Sequence, residues 1–164
     1  MITVRAAVPE DAERIVDIRL AGWRNAFAHL LSAQFLATLP ADPEPFRRGI
    51  AEGTGTVTVV AEDDGEVVGY ALAGPPQDAD PPRDWQLWHL YQYPRMHGSG
   101  SGQALLDAAI GDRPTFLWTA ENTPRTQAFY RRNGFIADGT RRIEAGWEDL
   151  AAIRMVRRLS PRRS

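Results

Sequence analysis

The chain has 164 residues, enough for one domain with a filled core and too few for two ordinary domains. Apolar residues make up 43% of it, charged residues 24%, and the net charge is -2; these values indicate a globular protein and exclude a general nucleic-acid binder. The chain contains no cysteine and no lysine, which excludes disulfides, thiolate metal ligands and Schiff-base chemistry within it. No run approaches the roughly 20 apolar residues of a membrane span and no signal-peptide pattern is present, so we expect a cytoplasmic protein without a membrane partner.

Helical signals dominate the first third of the chain. After an expected strand at Ile2–Ala6, Pro9 is followed by two acids, a pattern typical of a helix start. Apolar spacing continues that helix toward Phe27, and Ser32 is the expected cap of a second helix. Residues 45–52 predict a further short helix.

An antiparallel hairpin is the clearest local prediction. β-branched residues fill positions 56–61, Asp63-Asp64-Gly65 is a turn signal, and residues 67–72 supply the partner strand. The segment 74–83 is rich in proline and aspartate and therefore predicts a loop.

The central segment predicts a strand, a glycine-rich turn, a helix and a second strand. Residues 86–93 are rich in aromatics, and Pro94 ends this strand because proline cannot donate to the ladder. The turn at 97–102 leads into an apolar helix at 104–110 and then a strand at 115–119. In such a βαβ unit a ligand usually binds at the carboxyl end of the first strand.

The last part of the chain predicts a helix at 124–133 and strands at 135–143 and 150–158. We find no linker and no repeat, so we expect one α/β domain over residues 1–159, with a mixed sheet of six or seven strands flanked by helices. The basic segment 160–164 is expected to be a tail.

The glycine-rich turn carries the strongest functional signal. Glycines let a phosphate approach the backbone, and the free amides and the dipole of a helix start favour an anion. A Walker loop is excluded because no lysine follows, and the spacing does not fit a Rossmann fingerprint. The sequence predicts a pyrophosphate site formed by His97, Gly98, Ser99, Gly100, Ser101, Gly102 and Gln103.

Two motifs around this turn resemble those of the GNAT superfamily of acetyltransferases. The first runs through Leu87-Trp88-His89-Leu90-Tyr91-Gln92-Tyr93-Pro94, then His97-x-x-Gly100-x-Gly102 and Ala104-Leu105-Leu106. The second comprises Glu121-Asn122, Arg125, Ala128, Phe129-Tyr130 and Asn133-Gly134-Phe135. The resemblance implies a GNAT-like, mostly antiparallel sheet whose central strand pair is splayed, and acetyl-CoA as the cofactor.

The same resemblance implies roles for individual residues. The backbone of Leu90, Tyr91 and Gln92 would pair with the pantetheine arm like an added strand. Further cofactor contacts are expected from Asn122, Arg125 and Phe129. Tyr130 matches the tyrosine that protonates the departing thiolate, and Tyr130 could also be a core aromatic at a helix end.

The general base is left open by the sequence. Where the family often has a glutamate, this chain has Gln86, which cannot take a proton. His89 is the candidate base, and alternation along the strand places it beside Leu87 and Tyr91, opposite Gln86. It could equally be a strand histidine with a satisfied hydrogen bond, in which case the amine proton leaves through water, toward Glu121 or bulk solvent.

Aromatic residues are the expected walls of the acceptor site, and no metal ligands cluster in the sequence. The loop 144–149 has three acids around a tryptophan, which suits a cationic amine, although a solvated acidic turn is the alternative. The candidate wall residues are Trp23, Phe27, Trp85, Trp88 and Trp147.

These observations favour an N-acetyltransferase that moves an acetyl group from acetyl-CoA to a primary amine of a small molecule, peptide or protein. A non-catalytic acyl-CoA-binding module is the first alternative, supported by the glutamine at position 86. A nucleotide-binding protein is the second, and the missing lysine argues against it. We expect no nucleic-acid partner, and we expect a homodimer in which residues 135–158 form the interface or shape the acceptor cleft.

Overall fold

The computed structural model describes residues 1–157, so the expected basic tail at 160–164 lies outside the described residues. The elements agree with the order expected from the sequence, and their bounds differ by a few residues at the ends. The strands are β1 Ile2–Ala6, β2 Val57–Asp63, β3 Glu66–Gly74, β4 Gln86–Gln92, β5 Phe116–Ala120, β6 Phe135–Glu144 and β7 Leu150–Arg157. The α-helices are α1 Ala12–Phe27, α2 Ala33–Ala37, α3 Glu44–Glu52, α4 Ser101–Ile110 and α5 Pro124–Arg132.

The seven strands form one sheet in the order β1-β2-β3-β4-β5-β7-β6. Every neighbouring pair is antiparallel except β4 and β5, which are parallel and meet in the middle of the sheet. This confirms the expected mixed, mostly antiparallel sheet. The β4–β5 pair registers at one position only, Gln86 with Phe116, and then separates, as the splayed pair of the GNAT-like fold requires.

Helices cover both faces of the sheet. On one face α4 buries Leu105 and Leu106 against the apolar residues of β2 and β3. On the other, α1 buries Ile15 and Ile18 against Tyr70 of β3, which is fully buried. Full burial of one such side chain stabilises the fold by about 1.5–3 kcal/mol, so both helices are held firmly against the strand that precedes the split.

Local chemistry fixes the ends of the helices that surround the split. A 3₁₀ turn at Pro9–Asp11 precedes α1, and the hydroxyl of Ser32 accepts the Phe35 amide at 3.0 Å, which confirms Ser32 as the cap of α2. Gly22 lets α1 pass close to β4, because a β-carbon there would lie 2.9 Å from the Tyr91 ring. No helix within residues 1–157 combines the length and the apolarity needed to cross a bilayer.

Candidate active site

The split between β4 and β5 leaves backbone groups of β4 without a strand partner. The Tyr93 amide donates to Val68 of β3 at 3.0 Å, and antiparallel residues alternate between facing their partner and facing away. Leu90 and Gln92 therefore direct their N–H and C=O groups toward β5, which has already separated. This edge can pair with an extended, amide-containing ligand as an added strand would.

A β-bulge at Trp88 changes which side chains share a face of β4. Leu72 pairs with His89, whereas the next residue of β3, Ala73, pairs with Leu87, so Trp88 is an extra residue on β4. Leu87 consequently packs in the α4-side core, while the His89 ring faces Tyr70 on the α1 side, with ring centroids 5.9 Å apart. The expectation that His89 lies beside Leu87 is wrong, because simple alternation does not continue through a bulge.

The glycine-rich turn joins the end of β4 to α4 and offers free amide groups. Gly98 and Gly100 have φ angles of 82° and 91°, a left-handed conformation that glycine adopts without steric cost. Within residues 1–157, the N–H groups of Gly98, Gly100, Gly102 and Gln103 have no protein acceptor. These donors stand at a helix N-terminus, where the dipole favours an anion, as the sequence predicts.

The two serines of the turn form hydrogen bonds within the protein that the sequence does not reveal. The Ser101 hydroxyl is fully buried and donates to the side-chain oxygen of Gln92, while the Ser99 hydroxyl accepts the Ser101 amide at 3.2 Å. The predicted phosphate contact of Ser101 cannot come from its hydroxyl, because that hydroxyl is turned inward and already bonded. The Gln103 side chain is likewise occupied, donating to Asp107 and Asn133, so only its backbone faces a ligand.

One cleft of about 870 Å³ runs from the turn through the split to α1 and the β6–β7 connection. It brings together most of the residues expected to bind cofactor or acceptor. Those on its wall are Trp23, Phe27, Trp88, His89, Leu90, Tyr91, Gln92, His97, Gly98, Gly102, Asn122, Arg125, Phe129, Tyr130 and Trp147.

Trp85 is not brought to the cleft, so its expected place in the acceptor wall is wrong. It is 6% exposed, packs in the α4-side core and stacks under the Arg113 guanidinium, whose carbon lies 3.7 Å from the ring centroid. Trp85 precedes β4, and its ring joins the core there.

An aromatic wall closes the end of the cleft near α1. Trp23 packs edge-to-face against Phe27 and Trp147, with ring centroids 4.8 and 4.7 Å apart. Glu148, next to Trp147, accepts hydrogen bonds from the Ser32 amide at 2.7 Å and the Ser32 hydroxyl at 2.8 Å. The α2 cap therefore anchors the β6–β7 connection and holds this wall in place.

Two of the three acids around that connection are engaged by the protein, which argues against their capture of a cationic amine. Glu148 is bonded to Ser32, and Glu144 pairs with Arg142. Glu121, considered above as a proton outlet, forms an ion pair with Arg141 at 3.1 Å. The contacts of Glu148 and Glu121 link residues far apart in sequence, so no local pattern could reveal them.

Tyr130 lies on α5 with its ring held between Phe129 and Phe135, at centroid distances of 5.3 and 5.7 Å. Burial, with a smaller effect of Tyr91, raises the pKa of Tyr130 above its usual value, so the phenol stays protonated at any working pH. Its hydroxyl has no hydrogen-bond partner within residues 1–157 and is not sealed from the cleft. The phenol is therefore protonated and free to bond a ligand.

His89 has the character of a satisfied strand histidine. Its Nδ1 lies 3.1 Å from the Tyr70 hydroxyl, and the two groups share a hydrogen bond. Burial first, and then the positive charge of Arg19, lowers the pKa of His89 to about 4. A neutral ring with Nδ1 already bonded is poorly suited to accept a proton from an amine.

We expect this neutral histidine to make the protein sensitive to acid. The unfolded chain binds a proton at His89 below pH 6.5 and the folded chain only below about pH 4, so stability falls as the pH drops through that window. Through His89, the free energy of unfolding should fall by about 3 kcal/mol between neutral pH and a pH below about 4. Urea titrations of wild type and His89→Gln at several pH values measure it; equal pH dependence in both proteins would contradict the prediction.

Gln86 stands where an acid is common in the family, and it supports a loop. It is 4% exposed, and its side-chain oxygen accepts the Gln77 amide at 2.8 Å. Sequence reasoning missed several residues of the cleft, among them Arg19, Trp118 and Arg142. His29 also lies on the cleft wall, with its Nε2 3.3 Å from the Asn122 carbonyl oxygen.

A second, more open depression of about 490 Å³ lies beside the β1–β2 edge, away from the split. Its central charges satisfy one another, because Arg5 pairs with Asp11 at 2.8 Å and with Glu62 at 2.7 Å. We assign it no ligand. Residues 1–157 also contain no cluster of side chains able to hold a metal ion.

The splayed strand pair, the turn with free amides and the tyrosine beyond it define the class of acyl-CoA-dependent acyltransferases. Residues 24–135 match the family model described as the Acetyltransferase (GNAT) family, and the chain belongs to that family of acetyl-CoA-dependent N-acetyltransferases.

Relatives and solved structures agree with this assignment. The N-acetyltransferase Rv2669 of Mycobacterium tuberculosis is 32% identical over 160 residues, covering 94% of this chain and 86% of that protein. The N-acetyltransferase YuaI of Bacillus subtilis is 26% identical over 172 residues, covering 94% and 97%. The PaiA N-acetyltransferase from Thermoplasma acidophilum, solved in complex with coenzyme A, shares the fold with a TM-score of 0.73 at 16% identity, covering 94% and 98%.

Proposed function

We propose that the enzyme transfers an acetyl group from acetyl-CoA to a primary amine of a small molecule, peptide or protein by direct attack within a ternary complex. One observation carries the proposal: a single cleft connects the glycine-rich turn, the split edge of β4, Tyr130 and the aromatic wall near α1. Cofactor and amine can therefore approach the split from its two ends. The absence of cysteine from the chain argues against an acyl-cysteine step.

The residues present fit the proposed cofactor. Free amides of the turn suit its pyrophosphate, and the unpaired groups of Leu90 and Gln92 suit the amides of its pantetheine arm. Arg125 and His97 also line the cleft and can add positive charge or a donor. When bound, acetyl-CoA supplies an activated thioester, and the departing group is a thiol.

We assign two functions to groups of the protein at the reacting centre. The outward N–H groups of Leu90 and Gln92 offer fixed donors for negative charge that develops on a carbonyl oxygen. Tyr130 holds a proton at Oη for the leaving sulfur. Because His89 is neutral and bonded to Tyr70, we propose that the amine loses its proton to water in the cleft and that His89 orders this wall.

Thiol release tests the proposal. The full chain is mixed with acetyl-CoA and a panel of primary amines, amino acids, polyamines and peptides, and initial rates are measured while both substrates vary. We expect release with at least one acceptor class and intersecting double-reciprocal lines, the pattern of a ternary complex. If the protein bound acetyl-CoA but released no CoA thiol with any acceptor, the non-catalytic binding module would be favoured.

The homodimer remains a proposal. It is supported by β6, an edge strand that exposes Ile136 (42%) and Ile143 (49%), in the region expected to form the interface. Light scattering over a concentration series tests it, and a monomer mass at the highest concentration would contradict it.

A further inference from the structure

The cleft as a whole has an excess of positive charge. Within the described chain its wall contains four arginines, and the one acid there, Glu144, is paired with Arg142. The arginines on the wall are Arg19, Arg125, Arg132 and Arg142. Arg125 and Arg132 belong to α5 and are exposed, which leaves Arg19 as the cation of the α1 face.

Arg19 lacks an ion pair and a side-chain hydrogen bond, and it is more buried than the other arginines of which this is true. Within residues 1–157 it pairs with no acid, and its Nε is buried without any hydrogen-bond partner. Arg24, Arg48 and Arg131 also lack such partners, but they are exposed, so water satisfies them. Arg19 is half-buried, and its Nε has lost contact with water without gaining a hydrogen-bond acceptor, which is costly.

The position of Arg19 assigns it to the acceptor rather than to the cofactor. Its guanidinium carbon lies 5.4 Å from the centroid of the Trp23 ring, which belongs to the aromatic wall. Its charge also acts on Tyr70 and Tyr91, where burial raises the pKa and the charge of Arg19 opposes that rise. These residues lie on the α1 side of the sheet, whereas the glycine-rich turn leads into α4 on the other side.

We propose that the acceptor is an amine that also carries a carboxylate, an α-amino acid with an apolar side chain, and that Arg19 binds the carboxylate. A guanidinium matches the two oxygens of a carboxylate, and the wall of Trp23, Phe27 and Trp147 offers apolar surface beside it. The engagement of Glu144 and Glu148 within the protein agrees with this choice, because an acceptor held by its carboxylate does not need them. The inference rests on the proposed acetyl transfer and specifies its acceptor class.

Matched acceptor pairs test the inference. L-Phenylalanine, L-tryptophan and L-leucine are each compared with the amine that lacks only the carboxylate: phenethylamine, tryptamine and 3-methylbutylamine. Thiol release gives kcat and KM for wild type, Arg19→Gln, Arg19→Lys and Arg24→Gln, the last being an exposed arginine of the same helix. Calorimetry of CoA binding to each variant reports on the folded cofactor site independently of activity.

We expect wild type to prefer the amino acids by at least about 10-fold in kcat/KM. Arg19→Gln should lose about 10- to 100-fold with the amino acids, mainly through KM, as expected for loss of one charged hydrogen-bonding partner. The same variant should keep its rate with the amines and its affinity for CoA. Arg19→Lys should recover part of the loss, and Arg24→Gln should behave as wild type.

Three results would overturn the inference. Wild type could use the amines without a carboxylate as well as the amino acids, or Arg19→Gln could lose the same factor with both members of each pair, as a merely structural arginine would. Acetylation of polyamines or peptides alone would also overturn it while preserving the proposed function. If no acceptor of the wider panel caused thiol release, the result would instead contradict the proposed function itself.

Discussion

Tyr130→Phe is expected to lower the turnover number by about 10²–10⁴-fold, the usual worth of a general acid. The variant removes one oxygen from a ring that Phe129 and Phe135 hold in place, so the fold and the affinity for CoA should change little. Because the proton matters mostly in the transition state, kcat and kcat/KM should fall together. Steady-state thiol release and calorimetric CoA binding measure the two effects separately.

Tyr93→Phe is the matched control for this variant. Tyr93 follows β4 and donates to Asp17 on the surface, and it does not lie on the cleft wall. It should keep nearly the full turnover number. A Tyr130→Phe protein that is folded, binds CoA and turns over as fast as the control would remove Tyr130 from the mechanism.

Gly100→Val is expected to weaken CoA binding by about 10- to 100-fold or more, the equivalent of one or two lost charged hydrogen bonds. Gly100 has a φ of 91°, and a β-carbon there meets no atom within 4 Å, so the new side chain projects into the space above the turn. It therefore stands between a phosphate and the free amides. Calorimetric titration with CoA measures the loss.

Gly139→Val isolates the steric effect from backbone strain. Gly139 has a φ of 89°, and a β-carbon there also meets nothing within 4 Å, but it lies in β6 away from the turn. Both variants place a β-branched residue in the left-handed region, so both should lose stability to a similar degree. Equal CoA affinity in the two folded variants would contradict the phosphate site.

Local signals explain why the order of elements could be predicted. The Ser32 cap, the two-residue hairpin loop after Asp63 and the proline after β4 act within a few residues, and each is found where expected. The bulge at Trp88 could not be predicted from the strand alone. It is defined by the pairing of β4 with β3, and it decides which side chains enter the cleft.

Those parts of the site that depend on backbone conformation could be predicted from the sequence. Those that depend on side-chain partners distant in sequence could not. The conformation of the glycine-rich turn could be predicted, because the glycine spacing and the helix that follows are enough to indicate it. Ser101 and Glu148 are occupied by Gln92 and Ser32, contacts that only the folded chain creates. Arg19 could not be predicted as a site residue, because the lack of a partner for its Nε is seen only in the tertiary structure.

The central claim is that the cofactor lies along the split edge of β4 and on the glycine-rich turn. Amide NMR of the ¹⁵N-labelled full chain during titration with CoA tests it most directly. We predict the largest shifts at the amides of Leu90, Gln92, Gly100 and Gly102, and little change at Gly139 in β6. Shifts confined to other parts of the chain, with those four amides unmoved at saturation, would contradict the account.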